Sequence, residues 1–157
     1  MHENVSQLLQ IILDRKSIRN FKTIPIAEDI AEKIVEIGQR APSACNLQTY
    51  SVVWVKDKET KEKVWKDCFI TNAIRKAPLL FVICADLRRL AKVLDYLGHD
   101  HCLKHGQGYA LKLMSIVDAV LVAENMTIAA ECYGLGSVFI GSALASKKLI
   151  ETLNLPR

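Results

Sequence analysis

Apolar residues recur at helical spacing from the start of the chain. Val5, Leu8, Leu9, Ile12 and Leu13 share one face and predict an amphipathic helix. Pro25 breaks the pattern after "NFKTI", and Ile30, Ile34, Val35 and Ile37 predict a second helix with Glu28 and Asp29 in its first turn. That helix should stop before Pro42, because the residue preceding a proline is pushed out of the helical region. "YSVVWVK" (50–56) is β-branched and aromatic and predicts a buried strand. Asp57 then turns the chain into "KETKEKVWKDCF", a helix in which Glu59 with Lys63 and Glu62 with Lys66 form i,i+4 pairs. "APLLFVICAD" (77–86) predicts a second buried strand, and a helix follows over 87–97. A His- and Gly-rich stretch separates it from a long apolar helix over 115–133, with Ile116, Val120, Ala123, Thr127 and Ala130 on one face. "GLG" (134–136) ends that helix, glycine being the usual left-handed cap. "SVFIG" predicts a third short strand and "SKKLIETL" a final helix. Strands alternate with helices, so the expectation is a mixed α/β or α+β layer protein, a sheet wrapped by helices, in a single domain over residues 1–157.

Composition narrows the function classes. Half of the 157 residues are hydrophobic, enough for a substantial core. The formal charge of +4, from 21 basic and 17 acidic side chains, is spread along the chain without a basic stripe interleaved with aromatics, so no nucleic-acid partner is expected. The apolar run from Leu79 to Ala85 is too short to cross a bilayer, and the N-terminus lacks a secretory pattern, so no membrane partner is expected. The five cysteines are odd in number, widely spaced and without a Cys-x-x-Cys pair, which points to a reducing cytoplasm rather than a disulfide framework.

Three segments carry candidate chemistry. In "RKSIRNF" (15–21) Arg15, Ser17, Arg19 and Phe21 share one side if the segment is extended, and Arg15 and Arg19 share a face if it is helical. Two guanidiniums with a hydroxyl between them suit phosphate or a delocalised anion; the plainer alternative is a basic surface turn. "RAPSACNLQTY" (40–50) packs Ser43, Asn46 and Gln48 between a helix end and a strand, fit either for the rim of a polar ring-shaped ligand or simply for a capped turn. "GLGSVFIG" (134–141) is not a dinucleotide fingerprint, because its glycines close a helix and precede a strand. A strand ending in Gly141 still offers backbone N–H groups to a flat ligand. His99, Asp100, His101, Cys102 and His105 are all legitimate metal ligands, with His101 and His105 on one helix face, but no standard zinc spacing is matched. A polar loop beside an active site is the expected reading there, with no metal. Trp54 and Trp65 read as packing residues.

Taken in order, "R-x-S-x-R-x-F", "APSACNLQ" and "AAECYGLGSVFIG" resemble the FMN-dependent nitroreductase family, NAD(P)H:flavin oxidoreductases, over residues 8 to 155. The resemblance implies an α+β nitroreductase-like fold, a central mixed sheet surrounded by helices in an intertwined homodimer with shared flavin sites. It implies FMN as cofactor, bound by the cluster Arg15, Lys16, Ser17 and Arg19. Arg15 and Ser17 go with the phosphate and ribityl chain, and Arg19 with the pyrimidine edge; Lys16 points away if the segment is extended. A cation at that edge stabilises the negative charge that two-electron reduction leaves near N1 and the C2 carbonyl. Pro42, Ser43, Ala44, Asn46 and Gln48 would complete the neighbouring subunit's site, Ile140 and Gly141 would face the flavin through their backbone, and Asn72 would touch the pyrimidine. The family usually has Gln-Pro-Trp where this sequence has Gln48, Thr49 and Tyr50. It also generally continues past "LNLPR" with a strand and a second basic phosphate contact; either the sequence is truncated, or it is a short variant in which Arg15 stands nearly alone at the phosphate. The implied activity is ping-pong reduction of nitroaromatics, quinones or flavins at the expense of NAD(P)H. A non-catalytic flavin-binding protein, or another flavin chemistry of the same superfamily, is the alternative.

Overall fold

The computed structural model describes residues 2–68, 72–106 and 108–156; Phe69, the last residue of the "KETKEKVWKDCF" segment, lies outside them. The elements run α1 (His2–Asp14), α2 (Glu28–Gly38), β1 (Tyr50–Trp54), α3 (Lys58–Asp67), α4 (Asn72–Lys76), β2 (Phe81–Ala85), α5 (Arg88–Tyr96), α6 (Tyr109–Cys132) and α7 (Lys148–Thr152). Short 3-10 turns at Ala44–Asn46 and Gly141–Ala145 complete them. The chain forms two compact units, one from Met1–Glu32, Trp54–Phe81 and Ala130–Arg157, the other from Lys33–Val53 and Val82–Ala129.

In the first unit α3 packs on α4 and α7. Asp57 caps α3 by accepting from the Thr60 N–H, which satisfies one of the N–H groups a helix start leaves unpaired. Val64 and Cys68, Ala73 and Ile74 of α4, and Leu149 of α7 are buried, as are Ala31 and Val55. Thr152 donates its hydroxyl to Asp67 at 2.5 Å, tying α7 to the end of α3. The expected Glu59–Lys63 pair forms at 2.7 Å, but Glu62 turns to Arg75 of α4 at 3.3 Å rather than to Lys66. The guanidinium of Arg75 also lies over the Trp65 ring, which gives α3 and α4 a shared polar edge that sequence spacing within one helix does not reveal. Trp54 packs against Phe81 with ring centroids 5.7 Å apart.

In the second unit one face of α6 is buried: Ser115, Asp118, Ala119, Val122, Ala123, Met126, Thr127 and Ala129. Gly38 lets α2 pass close to it, since a Cβ there would lie 2.4 Å from Met126 Cγ. This matches the face that spacing predicts at Ala123 and Thr127 but not further toward the start of the helix. Ile116 and Val120 point outward, and the helix starts six residues earlier than expected. The helix is apolar nearly all round, so periodicity alone could not orient it. By length and composition α6 could also cross a membrane, unlike the Leu79–Ala85 run, yet its midpoint carries the buried, hydrogen-bonded Asp118.

β1 and β2 are the one sheet among the described residues, and they run antiparallel. The Asp86 N–H donates to the Thr49 C=O at one end, and the Val55 N–H to the Leu80 C=O at the other. The expected central mixed sheet is therefore smaller than predicted. "SVFIG" is not a strand: Ser137 makes a single parallel bridge to Ser17, and the chain turns into a 3-10 helix at Gly141. With one paired residue it never acquires the ladder that defines a strand.

Candidate functional site

The bridge between Ser17 and Ser137 is the centre of the first unit's candidate site. The Ile18 N–H donates to the Ser137 C=O at 2.9 Å, which holds residues 17 and 18 against Ser137. Two features of "GLGS" make this possible. Gly134, at φ +70°, closes α6: its N–H bonds the Glu131 C=O and the Leu135 N–H bonds the Ala130 C=O, both at 2.9 Å, a Schellman ending. Gly136 then leaves room for Ile18, because a Cβ at 136 would sit 2.5 Å from Ile18 Cγ1. Ser137 adds a hydroxyl bond to Glu131 at 3.3 Å.

The segment so held presents Arg15 half-buried, with Lys16, Ser17 and Arg19 exposed. Next along it, Asn20 accepts from Lys76 at the end of α4, the helix that Asn72 opens. On the other side Ile140 is half-buried and Gly141 borders open space, with nothing within 4 Å of where a Cβ would be. Ser142 donates to the Cys68 C=O at 3.2 Å, which fixes the turn just past Gly141. The first unit thus places Ser17 and Ile18 against Ser137, in the same run as Arg15, Lys16 and Arg19, while Asn72 stands at the start of the helix tied to Asn20. Two guanidiniums, a hydroxyl and a glycine beside open space are a donor set fit for a phosphorylated, anionic ring ligand.

Pro42, Ser43, Ala44, Asn46 and Gln48 belong to the second unit. Their backbone is unusual: Cys45, Asn46 and Gln48 have φ of 50°, 55° and 50°, in the left-handed region that non-glycine residues seldom occupy. Each such residue costs about 1–2 kcal/mol, so the surrounding structure must hold the turn. Asp118, 1% exposed, does so from α6. Its Oδ1 accepts from the Ala44 N–H at 3.0 Å, and its Oδ2 accepts from the Thr49 N–H at 3.2 Å and the Thr49 hydroxyl at 2.8 Å. Hydrogen bonds to a charged group contribute roughly 1.5–3 kcal/mol each, enough to offset the strain. Arg89 donates to the Leu47 and Gln48 carbonyls, and Ser43 Oγ accepts from the Gln48 N–H at 3.2 Å. Below the turn, Ser51 donates to Asp86 at 2.5 Å, and that bond first of all holds the Asp86 carboxyl below its ordinary range. Burial pushes the Tyr50 phenol and the Cys84 thiol up.

Asp118, Thr49 and Arg89 escaped sequence reasoning. The usable signal was Asp118 itself, the lone acid between Asp100 and Glu124, in a stretch (113–123) otherwise apolar but for Ser115. The histidine cluster resolves into separate pairs: His101 Nε2 with Asp95 at 3.2 Å and His105 Nε2 with Asp100 at 2.9 Å. Among the described residues no three metal-ligating side chains converge.

Comparison with known proteins decides which family this site belongs to. The Nitroreductase family matches residues 12–157. The chain belongs to the nitroreductase family. It is 34% identical over 154 residues to "FMN reductase [NAD(P)H]" of Bacillus subtilis (strain 168), covering 98% of this chain and 61% of that protein. It is also 34% identical over 157 residues to "NADPH-dependent oxidoreductase" of Staphylococcus aureus (strain USA300), covering 99% and 61%. Among solved structures it superposes on NfrA1 nitroreductase from B. subtilis with a TM-score of 0.90 and 30% identity, covering 95% of this chain and 60% of that one. On NADPH:FMN oxidoreductase from Vibrio harveyi complexed with NAD+, the TM-score is 0.84 at 30% identity, covering 96% and 63%. The nitroreductase-like α+β fold is thereby established. The chain spans about three fifths of the length of these relatives.

Proposed function

We propose that this chain is the flavin-binding domain of an FMN-dependent oxidoreductase that takes hydride from NAD(P)H and passes it to a nitroaromatic, a quinone or a second flavin. The observation that supports this is the Ser17–Ser137 bridge, which joins the run holding Arg15, Ser17 and Arg19 to the run that leads to Gly141. The relatives named as FMN reductase and NADPH:FMN oxidoreductase support the activity. FMN, when bound, supplies two-electron chemistry, accepting hydride from one substrate and giving it to the next.

The protein's part is binding, orientation and charge. Arg15 and Ser17 hold the phosphate and ribityl chain, a fork and a hydroxyl against anionic oxygens. Lys16 adds positive charge to the same strip. Arg19 sits at the pyrimidine edge and stabilises the charge that arrives there. Asn72 touches the same ring, and the backbone of Ile140 and Gly141 lies against its edge. Pro42, Ser43, Ala44, Asn46 and Gln48 complete the site of a second copy. Support for a homodimer comes from Leu113, Ile116, Val117, Val120 and Leu121, which are 37–59% exposed in one contiguous stripe of α6. Residues 1–157 act as one flavin-binding domain in a reducing cytoplasm, in keeping with the free thiols of Cys45, Cys84, Cys102 and Cys132.

The test is to add FMN to the purified chain and then NADH or NADPH. Uptake of flavin, followed by bleaching of its colour that reverses on adding a quinone, is the expected result. Failure to take up FMN refutes the reading.

A further inference from the structure

We propose that Asp118 is a positioning residue for the flavin site, fixing the Ala44–Thr49 turn in the one backbone form able to meet the ring. The inference rests on the reading of that turn as a flavin contact. The two N–H groups that Asp118 accepts, those of Ala44 and Thr49, bracket the turn, and between them stand the three left-handed residues Cys45, Asn46 and Gln48. Local preference does not select such a run, so its shape is imposed from outside. A carboxylate suits the task because it accepts at both oxygens. An amide in the same place would turn its NH2 toward at least one N–H donor and leave it unsatisfied in a buried site. The clamp is matched in charge: the anion takes the N–H groups, while the Arg89 cation takes the carbonyls of Leu47 and Gln48. Asp118 is 1% exposed and acts on the ligand only through the turn.

The decisive variants are Asp118→Asn, Thr49→Val and Thr49→Ser, made in the full chain. Two quantities are read: amide exchange at Ala44 and Thr49 relative to α3 amides, and FMN affinity by fluorescence titration. Asp118→Asn should speed exchange at both amides about tenfold or more while α3 is unchanged, and weaken FMN binding by a similar factor. Thr49→Val removes one of the three bonds and should move both readouts in the same direction by less, whereas Thr49→Ser should restore them. If Asp118→Asn does not fold, the Val and Ser pair decides alone. Unchanged exchange at Ala44 and Thr49 in the folded variants overturns the proposal, as does faster exchange with unaltered FMN affinity. Absence of FMN binding by the unaltered chain would instead sink the flavin reading, and the exchange arm would still decide whether Asp118 holds the turn.

Discussion

Replacing Gly136 by alanine tests the geometry on which the first half of the site depends. The added Cβ would stand 2.5 Å from Ile18 Cγ1 and 3.1 Å from Ile18 Cβ. Isoleucine is β-branched and stiff at χ1, so the clash is relieved mainly by moving the backbone of one segment away from the other. Overpacking of this kind costs about 1–3 kcal/mol. The Ile18 N–H bond to the Ser137 C=O, worth about 1 kcal/mol, is the first interaction to stretch. The expected loss is roughly 2–3 kcal/mol in urea unfolding, together with weaker FMN binding because residues 17 and 18 are no longer held against Ser137. A double-mutant cycle with Ile18→Ala separates this clash from any general effect of the substitution. Removing Cγ1 leaves only the 3.1 Å approach to Cβ, which a shift of a few tenths of an ångström absorbs. Ile18→Ala should therefore recover about 1 kcal/mol or more of the Gly136→Ala loss. A Gly136→Ala variant within about 0.5 kcal/mol of the parent, or strict additivity in the cycle, would refute the close approach as the reason for glycine.

Arg19 is exposed, so Arg19→Ala should change stability by less than about 0.5 kcal/mol yet slow flavin reduction at least tenfold; rapid-mixing absorbance checks it, and an unaltered rate and flavin potential would remove the charge role. Asp86 is depressed in the folded state, so its contribution is present above the ordinary carboxylate range, near pH ~4, and is lost as pH falls through the lower folded value. Ser51→Ala removes the first cause of that shift, and should cost about 1 kcal/mol at neutral pH and flatten the acid limb of stability against pH. Parallel curves for parent and variant would count against it. Ile116→Asp on the outward stripe of α6 should convert a dimer to monomers in sedimentation, while the monomer keeps its helical circular dichroism.

What the sequence disclosed follows a physical division. Segments whose order depends on near neighbours were legible: α2 with Glu28 and Asp29 at its start, α3 entered at Asp57, and the glycine ending of α6 at Gly134. Each is set within a turn or two of chain. α4 and the 3-10 turns were not foreseen, being a few residues long and held by bonds from elsewhere, such as Lys76 to Asn20 and Ser142 to the Cys68 carbonyl. "SVFIG" misled because β-branched and aromatic residues report a half-buried, extended backbone, and not the presence of a pairing partner along its length. Glu62 misled for a related reason: its partner Arg75 lies on the next helix, where i,i+4 spacing has nothing to say.

The same division runs through the candidate site. The letters that made the motifs recognisable, Arg15, Ser17, Arg19 and the "APSACNLQ" turn, are those that would face a ligand. The residues that give those segments their shape are Gly136 in the first unit and Asp118 in the second, and each acts by a different principle. Gly136 works by absence, leaving a gap that Ile18 fills so that two backbones can share a bond. Asp118 works by charge, collecting donors from both ends of a turn whose φ angles the local sequence does not favour. A ligand-facing arginine exchanged for lysine leaves its segment's backbone where it was and should weaken binding at that one interaction alone. A shaping residue exchanged for its nearest relative displaces every ligand-facing group on its segment at once. Substitutions at Gly136 and Asp118 should therefore be more damaging to flavin binding than conservative ones at Arg15 or Ser17, although neither shaping residue has a ligand-binding role.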